Sequence, residues 1–211
     1  MGRQWSQMTI AKRARKRAAK LATFRDEGVG VYERDLSLKE TNWESTTLHR
    51  GRRVPDESVW GEAGGRGGFV HFGPKAPKLL IEEVIVHEFC HVAQYRLRAH
   101  RRNCGEPLKG ADGHGRVFVS LLLSASAEFF KMTTAERKAV LKTWEAKKQT
   151  QKEGLAEHRA IIRNHVNPRS DHLYARPLGL DQAYWKVRNR RIHGYLLDDA
   201  ILEVLRERED G

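Results

Sequence analysis

Two cysteines, Cys90 and Cys104, are too few to build a disulfide scaffold, and a reducing, cytoplasmic setting is the expectation. Acid is scarce as well: 27 Asp and Glu face 39 Lys and Arg, a net charge of +12. The first 25 residues hold none. A chain this basic is mismatched to an acidic partner's opposite, and points to a polyanion such as nucleic acid or an anionic membrane surface. No apolar run approaches the about 20 residues needed to span a bilayer. The most apolar stretch, Leu79 to Val92, is interrupted by Glu82, Glu83, His87 and Glu88. The N-terminus has no apolar core of a leader peptide, so neither a secretory leader nor a transmembrane segment is expected. What remains is 211 residues that are 39% hydrophobic, enough to form a core and to exclude disorder of the whole chain.

Residues 1–25 read as a basic arm. Arg3, Lys12, Arg13, Arg15, Lys16, Arg17, Lys20 and Arg25 alternate with alanines, Ile10, Leu21 and Phe24, which predicts a helix over about 9–24 with a thin apolar face. The arm suits phosphate contacts or a solvated surface. Met1-Gly2-Arg3-Gln4-Trp5-Ser6 also fits a myristoylation pattern, and the acid-free helix fits a transit peptide.

Residues 26–75 are broken by Gly28, Gly30, Pro55 and the run Gly61-Glu62-Ala63-Gly64-Gly65-Arg66-Gly67-Gly68. Short strands are expected at 30–34, 46–50 and 68–72. A long helix is expected over 78–99, and it contains His87-Glu88-Phe89-Cys90-His91. Residues four apart share a helix face, so His87 and His91 can both turn a neutral imidazole nitrogen to one metal, at about 2.0–2.1 Å for zinc. Glu88 is placed to take a proton from a water polarised there and to pass it to a leaving amine. Cys90 reads as a small buried hydrophobe.

An open hydrolytic zinc site needs a third protein ligand. His114 is the best candidate. It lies between Gly113 and Gly115, which permit a tight turn, and ahead of Val117, Phe118, Leu121, Leu122, Ala125 and Phe129 at helical spacing. His100, Asp112 and Cys104 are rivals.

HEFCH followed by Gly113-His114-Gly115-Arg116-Val117-Phe118 resembles the SprT-like (Spartan-like) metallopeptidase family, and in particular the small SprT-like metallohydrolases of bacteriophages and actinobacteria. The resemblance covers about residues 45–130. It implies an HExxH helix beside a small sheet, zinc held by His87, His91 and His114, Glu88 as catalytic base, and peptide-bond hydrolysis, in some members of proteins bound to DNA. The chain departs from the family in its long basic loop, Arg96 to Gly113, and in lacking a Cys-rich zinc ribbon.

Further on, Thr133-Thr134-Ala135-Glu136 reads as a capping box opening a helix with Val140, Leu141 and Trp144 on one stripe. Lys147 to Glu157 reads as a polar connecting helix or hinge, and Asn167-Pro168 as a boundary. After the turn Leu178-Gly179-Leu180, Asp181 can cap a basic helix ending at His193-Gly194, and Asp198 or Asp199 can open a last helix. The pattern resembles small helix-turn-helix modules appended to phage nucleases and regulators. Lys186, Arg188, Arg190 and Arg191 are the candidate nucleic-acid contacts.

The expected fold is therefore α+β and mostly helical: a basic arm (1–25), a zincin-like domain with its HExxH helix and small sheet (26–150), a helical linker (151–170) and a helical DNA-binding module (171–211). The expected function is zinc-dependent hydrolysis of a protein or peptide substrate on or near DNA. Two other classes fit the sequence: a non-enzymatic nucleic-acid-binding or virion-associated protein with a structural zinc, and a membrane-associated structural protein using the arm.

Overall fold

In the computed structural model, the described residues are 6–25, 30–40, 48–49, 52–53, 59–64, 67–106, 113–165 and 182–210; the side chains of 48–60, 64, 151–165 and 182–195 are not among them. The fold is α+β and mostly helical. It forms two compact units, one of residues 1–112 and 116–133, the other of 113–115 and 134–211.

Helix α1 (Gln7–Ala18) opens the first unit. Ser6 caps it, its hydroxyl accepting from the Thr9 N–H at 3.4 Å. Ala11, Ala14 and Ala18 are buried, and these small side chains let α1 lie close against the following helices. Residues 7–24, expected as an arm with a thin apolar face, are thus packed by that face. The chain breaks at Lys20 and continues as a 3₁₀ turn, Ala22–Phe24. Glu128 fastens this turn, accepting the N–H groups of Ala22 at 2.7 Å and Thr23 at 3.0 Å. Those two bonds hold the carboxyl below its usual range although burial opposes them.

The sheet has three strands in the order β1 (Leu36–Glu40), β5 (Gly67–Phe72), β4 (Val59–Gly64). β1 runs parallel to β5, and β4 antiparallel. A separate two-stranded ribbon pairs β2 (Leu48–His49) with β3 (Arg52–Arg53). The strand expected at 68–72 forms. The one expected at 30–34 does not: Glu33–Asp35 is a 3₁₀ turn, and the strand begins at Leu36. Asp35 accounts for the shift. Its carboxylate accepts the Tyr32 N–H at 2.6 Å and receives Arg96 at 2.8 Å, which ties the segment into a turn.

Helix α2 (Lys78–Asn103) lies across β4 and β5 and is the spine of the unit. Ile81, Ile85, Val86, Phe89, Cys90, Val92 and Ala93 are buried on it. Helix α3 (Arg116–Phe129) packs on α2; Phe118, Leu122, Ala125 and Phe129 are buried on it at the expected helical spacing, and Phe118 meets the rings of His87 and His91.

The second unit is built on helix α4 (Thr134–His165) and helix α5 (Gln182–Asp210). α4 opens beside the expected cap and runs through the polar stretch as a single helix. Leu197, Ala200, Ile201, Val204 and Leu205 are buried at helical spacing. Lys147 meets Glu203 at 2.8 Å, and Arg208 meets Glu136 at 3.4 Å. The break expected at His193-Gly194 is absent, since α5 is continuous through both residues. A glycine inside a helix costs only about 1 kcal/mol, which the buried stripe just beyond it outweighs. The expected turn at 178–180 and the boundary at 167–168 lie outside the described residues. Among the described residues no helix is long and apolar enough to cross a membrane.

Candidate metal centre

His87 and His91 are one turn apart on α2, with ring centroids 4.9 Å apart. His114 precedes Arg116, the first residue of α3, by two residues. Gly113 makes the approach possible. Its φ of 50° lies in the left-handed region, where a glycine pays no steric penalty.

The three histidines each offer a ring nitrogen, and these atoms lie within 4.8 Å of one another. A tetrahedral zinc with bonds of about 2.0–2.1 Å spaces its donors about 3.4 Å apart. Small side-chain rotations close the remaining gap. The donor set therefore fits a divalent cation that takes imidazole ligands. His87 and His114 are buried, and His91 is partly exposed with a buried Nδ1.

Phe118 holds two of the rings. It stacks on His91 at 4.3 Å with an interplanar angle of 28°, and meets His87 edge-on at 4.8 Å. It is itself fully buried, so the imidazoles rest on a fixed wall. Of the rival ligands, His100 and Cys104 are exposed; they lie 3.9 Å from each other and do not join the cluster. Asp112 lies outside the described residues. Lys186, Arg188, Arg190 and Arg191 fall on the backbone of α5, but their side chains are outside the described set.

Glu88 is 5% exposed, and its Oε2 is buried with no hydrogen-bond partner. Burial raises its pKa from 4.5 to about 7; His87 opposes the rise, while Glu83 and Glu62 add to it. A buried, unsatisfied carboxyl is costly for a fold and is the arrangement expected of a group kept for proton transfer or for a nearby cation.

The sequence pattern does not reveal what presses on Glu88. β4 is one of the two edge strands of the sheet, and its Gly61 lies directly against the Glu88 side chain. A Cβ at position 61 would stand 2.6 Å from the Glu88 Cδ, where real Cβ atoms do not go. Gly61 is thus required by close approach, although in sequence it reads only as one breaker in a glycine-rich run. Gly61→Ala must push either the strand or the carboxyl aside. It is expected to destabilise by about 1–3 kcal/mol, and to cut any hydrolysis by about 10²-fold through misplacement of the carboxyl. Bound metal should stay at the wild-type level. Urea denaturation, a peptide-hydrolysis assay and metal analysis on the same preparation check the three effects.

No protein-family model matches the chain, and no curated protein or solved structure matches it.

Proposed function

We propose that this protein is a metal-dependent hydrolase of the HExxH type with a zincin-like site, that zinc is its cation, and that it cleaves peptide bonds. The observation that carries the reading is the convergence of His87, His91 and His114 within 4.8 Å, next to a buried carboxyl with a free lone pair at Glu88. When bound, zinc would supply Lewis-acid polarisation of a carbonyl and lower the pKa of a water at that point.

The remaining steps belong to the chain's own residues. His87, His91 and His114 would hold the cation, with Phe118 fixing two of the rings. Glu88, with its pKa near 7, takes a proton from the attacking water and delivers it to the departing amine. Among the described residues β4 pairs with β5 alone, which leaves its other edge without a strand partner among them. An extended peptide can add along such an edge by main-chain hydrogen bonds. At Gly61 the strand runs directly against the Glu88 side chain, so a peptide added along β4 would lie near that carboxyl. A peptide substrate follows from this placement more naturally than a compact small molecule.

The net charge of +12 supports work on or near nucleic acid. The resemblance to the SprT-like family supports the same combination. The test is hydrolysis of an unstructured substrate such as casein or a fluorogenic peptide library. Cleavage that disappears with chelator and returns with zinc supports the reading. Zinc-loaded protein that leaves every peptide bond intact over hours refutes it.

A further inference from the structure

The cations of the first unit are not spread evenly. A cleft of about 540 Å³ lies between α1 and the start of α2, lined by Gln7, Arg13 and Arg17 from α1, by Lys75 and Lys78, and by Glu82. Four cations therefore face one acid. Glu82 does not leave Arg17 adrift: the guanidinium pairs with it at 3.5 Å and sits 3.6 Å over the Phe129 ring, which holds the charge in place at the cleft wall. Lys75 and Lys78 are exposed at the mouth.

The peptide dipoles add to this charge. α2 begins at Lys78 with Pro77 as its cap, and no side chain caps it. No acid lies in its first turn. The first intrahelical bond runs from the Ile81 N–H to the Pro77 carbonyl, so the N–H groups of residues 78–80 find no partner within the helix. The cations and the helix end together favour an anion of several charges.

We infer that the cleft between α1 and the start of α2, through Arg13, Arg17, Lys75 and Lys78, binds the phosphodiester backbone of a nucleic acid. The inference rests on the reading that the protein works near nucleic acid, and is independent of its metal. A lipid surface fits less well. Membrane-surface helices carry a face of exposed large apolar residues, whereas on α1 the buried residues are Ala11, Ala14 and Ala18 and the larger Met8 and Ile10 are half-buried. Among the described residues the exposed large hydrophobics are Tyr32 and Leu141, neither of them on α1. Lys78 precedes His87 by nine residues, about 13 Å along the helix. A bound strand would thus lie beside the metal centre and leave it open.

The experiment uses full-length protein and a fluorescein-labelled 20-base-pair duplex, read by anisotropy across a salt series. Lys75→Ala/Lys78→Ala is expected to weaken binding about tenfold near 100 mM salt and to reduce the slope of log K against log salt by about 1.8, the value for two lost phosphate contacts. Lys138→Ala on α4 is the control and should change neither quantity. Zinc content and peptide hydrolysis should be unaffected by the double variant, so a failed hydrolase reading and a failed cleft are told apart. The inference is overturned if the double variant binds the duplex like wild type, if the control loses as much, or if wild type does not bind the duplex at 50 mM salt. It is also overturned if the double variant loses affinity for phosphatidylserine vesicles alone.

Discussion

Glu88→Gln is expected to cut zinc-dependent hydrolysis by about 10²–10⁴-fold, the usual share of a general acid–base group, and at the same time to stabilise the metal-free protein above pH 7. Both effects come from one side chain in one environment. Glutamine keeps the volume beneath Gly61 but cannot take a proton from water. It also removes a buried negative charge whose Oε2 has no hydrogen-bond partner.

The sign of the stability effect follows from the pKa, which rises on folding from 4.5 to about 7. Below pH 4.5 the carboxyl is protonated in both the folded and unfolded states and costs nothing. Between pH 4.5 and 7 the unfolded chain ionises first, so the native state loses ground. Above pH 7 the penalty is complete, about 3 kcal/mol for a shift of this size in a buried group. Urea denaturation in chelator should therefore give equal stabilities for wild type and Glu88→Gln at pH 4 and a gap of up to about 3 kcal/mol at pH 8. A variant that is less stable than wild type at pH 8 would mean that Glu88 is a structural acid with a partner. A function-bearing group that weakens its fold is a familiar exchange of stability for activity.

The second large effect concerns the third ligand. His114→Ala should reduce zinc affinity by more than about 100-fold, beyond the 10–100-fold that losing a supporting group produces. The fold should survive, because Phe118, Leu122, Ala125 and Phe129 of α3 stay buried without the histidine. His100→Ala should be silent, since that residue is exposed and outside the cluster. Competition against a chromogenic chelator, with circular dichroism on the same samples, reads both. If His114→Ala keeps wild-type affinity, the two α2 histidines are completed by some other donor.

The sequence makes the α2 part of this centre plain, because helical period alone puts His87 and His91 on one face. His114 is legible for a different reason: paired glycines mark a turn, and the apolar spacing behind it marks a helix long enough to pack. Gly61 is not legible. Its role is a contact with a residue 27 positions later, and nothing local distinguishes it from Gly64 or Gly68. β4 is hidden by the same glycines, which lower strand propensity although the edge position tolerates them. β1 is displaced from its expected place because Asp35 has a partner in Arg96, 61 residues away. The continuous α5 differs from the expected pair of helices because a single glycine is a weak stop when apolar residues at 197, 200, 201, 204 and 205 continue the stripe. Local signals therefore locate the three histidines, while the strand that presses on Glu88 depends on tertiary contacts.

Three imidazoles, two from α2 and one from the turn before α3, are expected to hold one cation. Zinc K-edge X-ray absorption on protein loaded with one equivalent tests it most directly. The account predicts one tightly held zinc per chain with three imidazole nitrogens at about 2.0–2.1 Å and a lighter oxygen donor completing the shell. Replacing His114 should remove one imidazole from the spectrum. A protein that retains no zinc after desalting, or a spectrum dominated by sulfur or carboxylate donors, would contradict it.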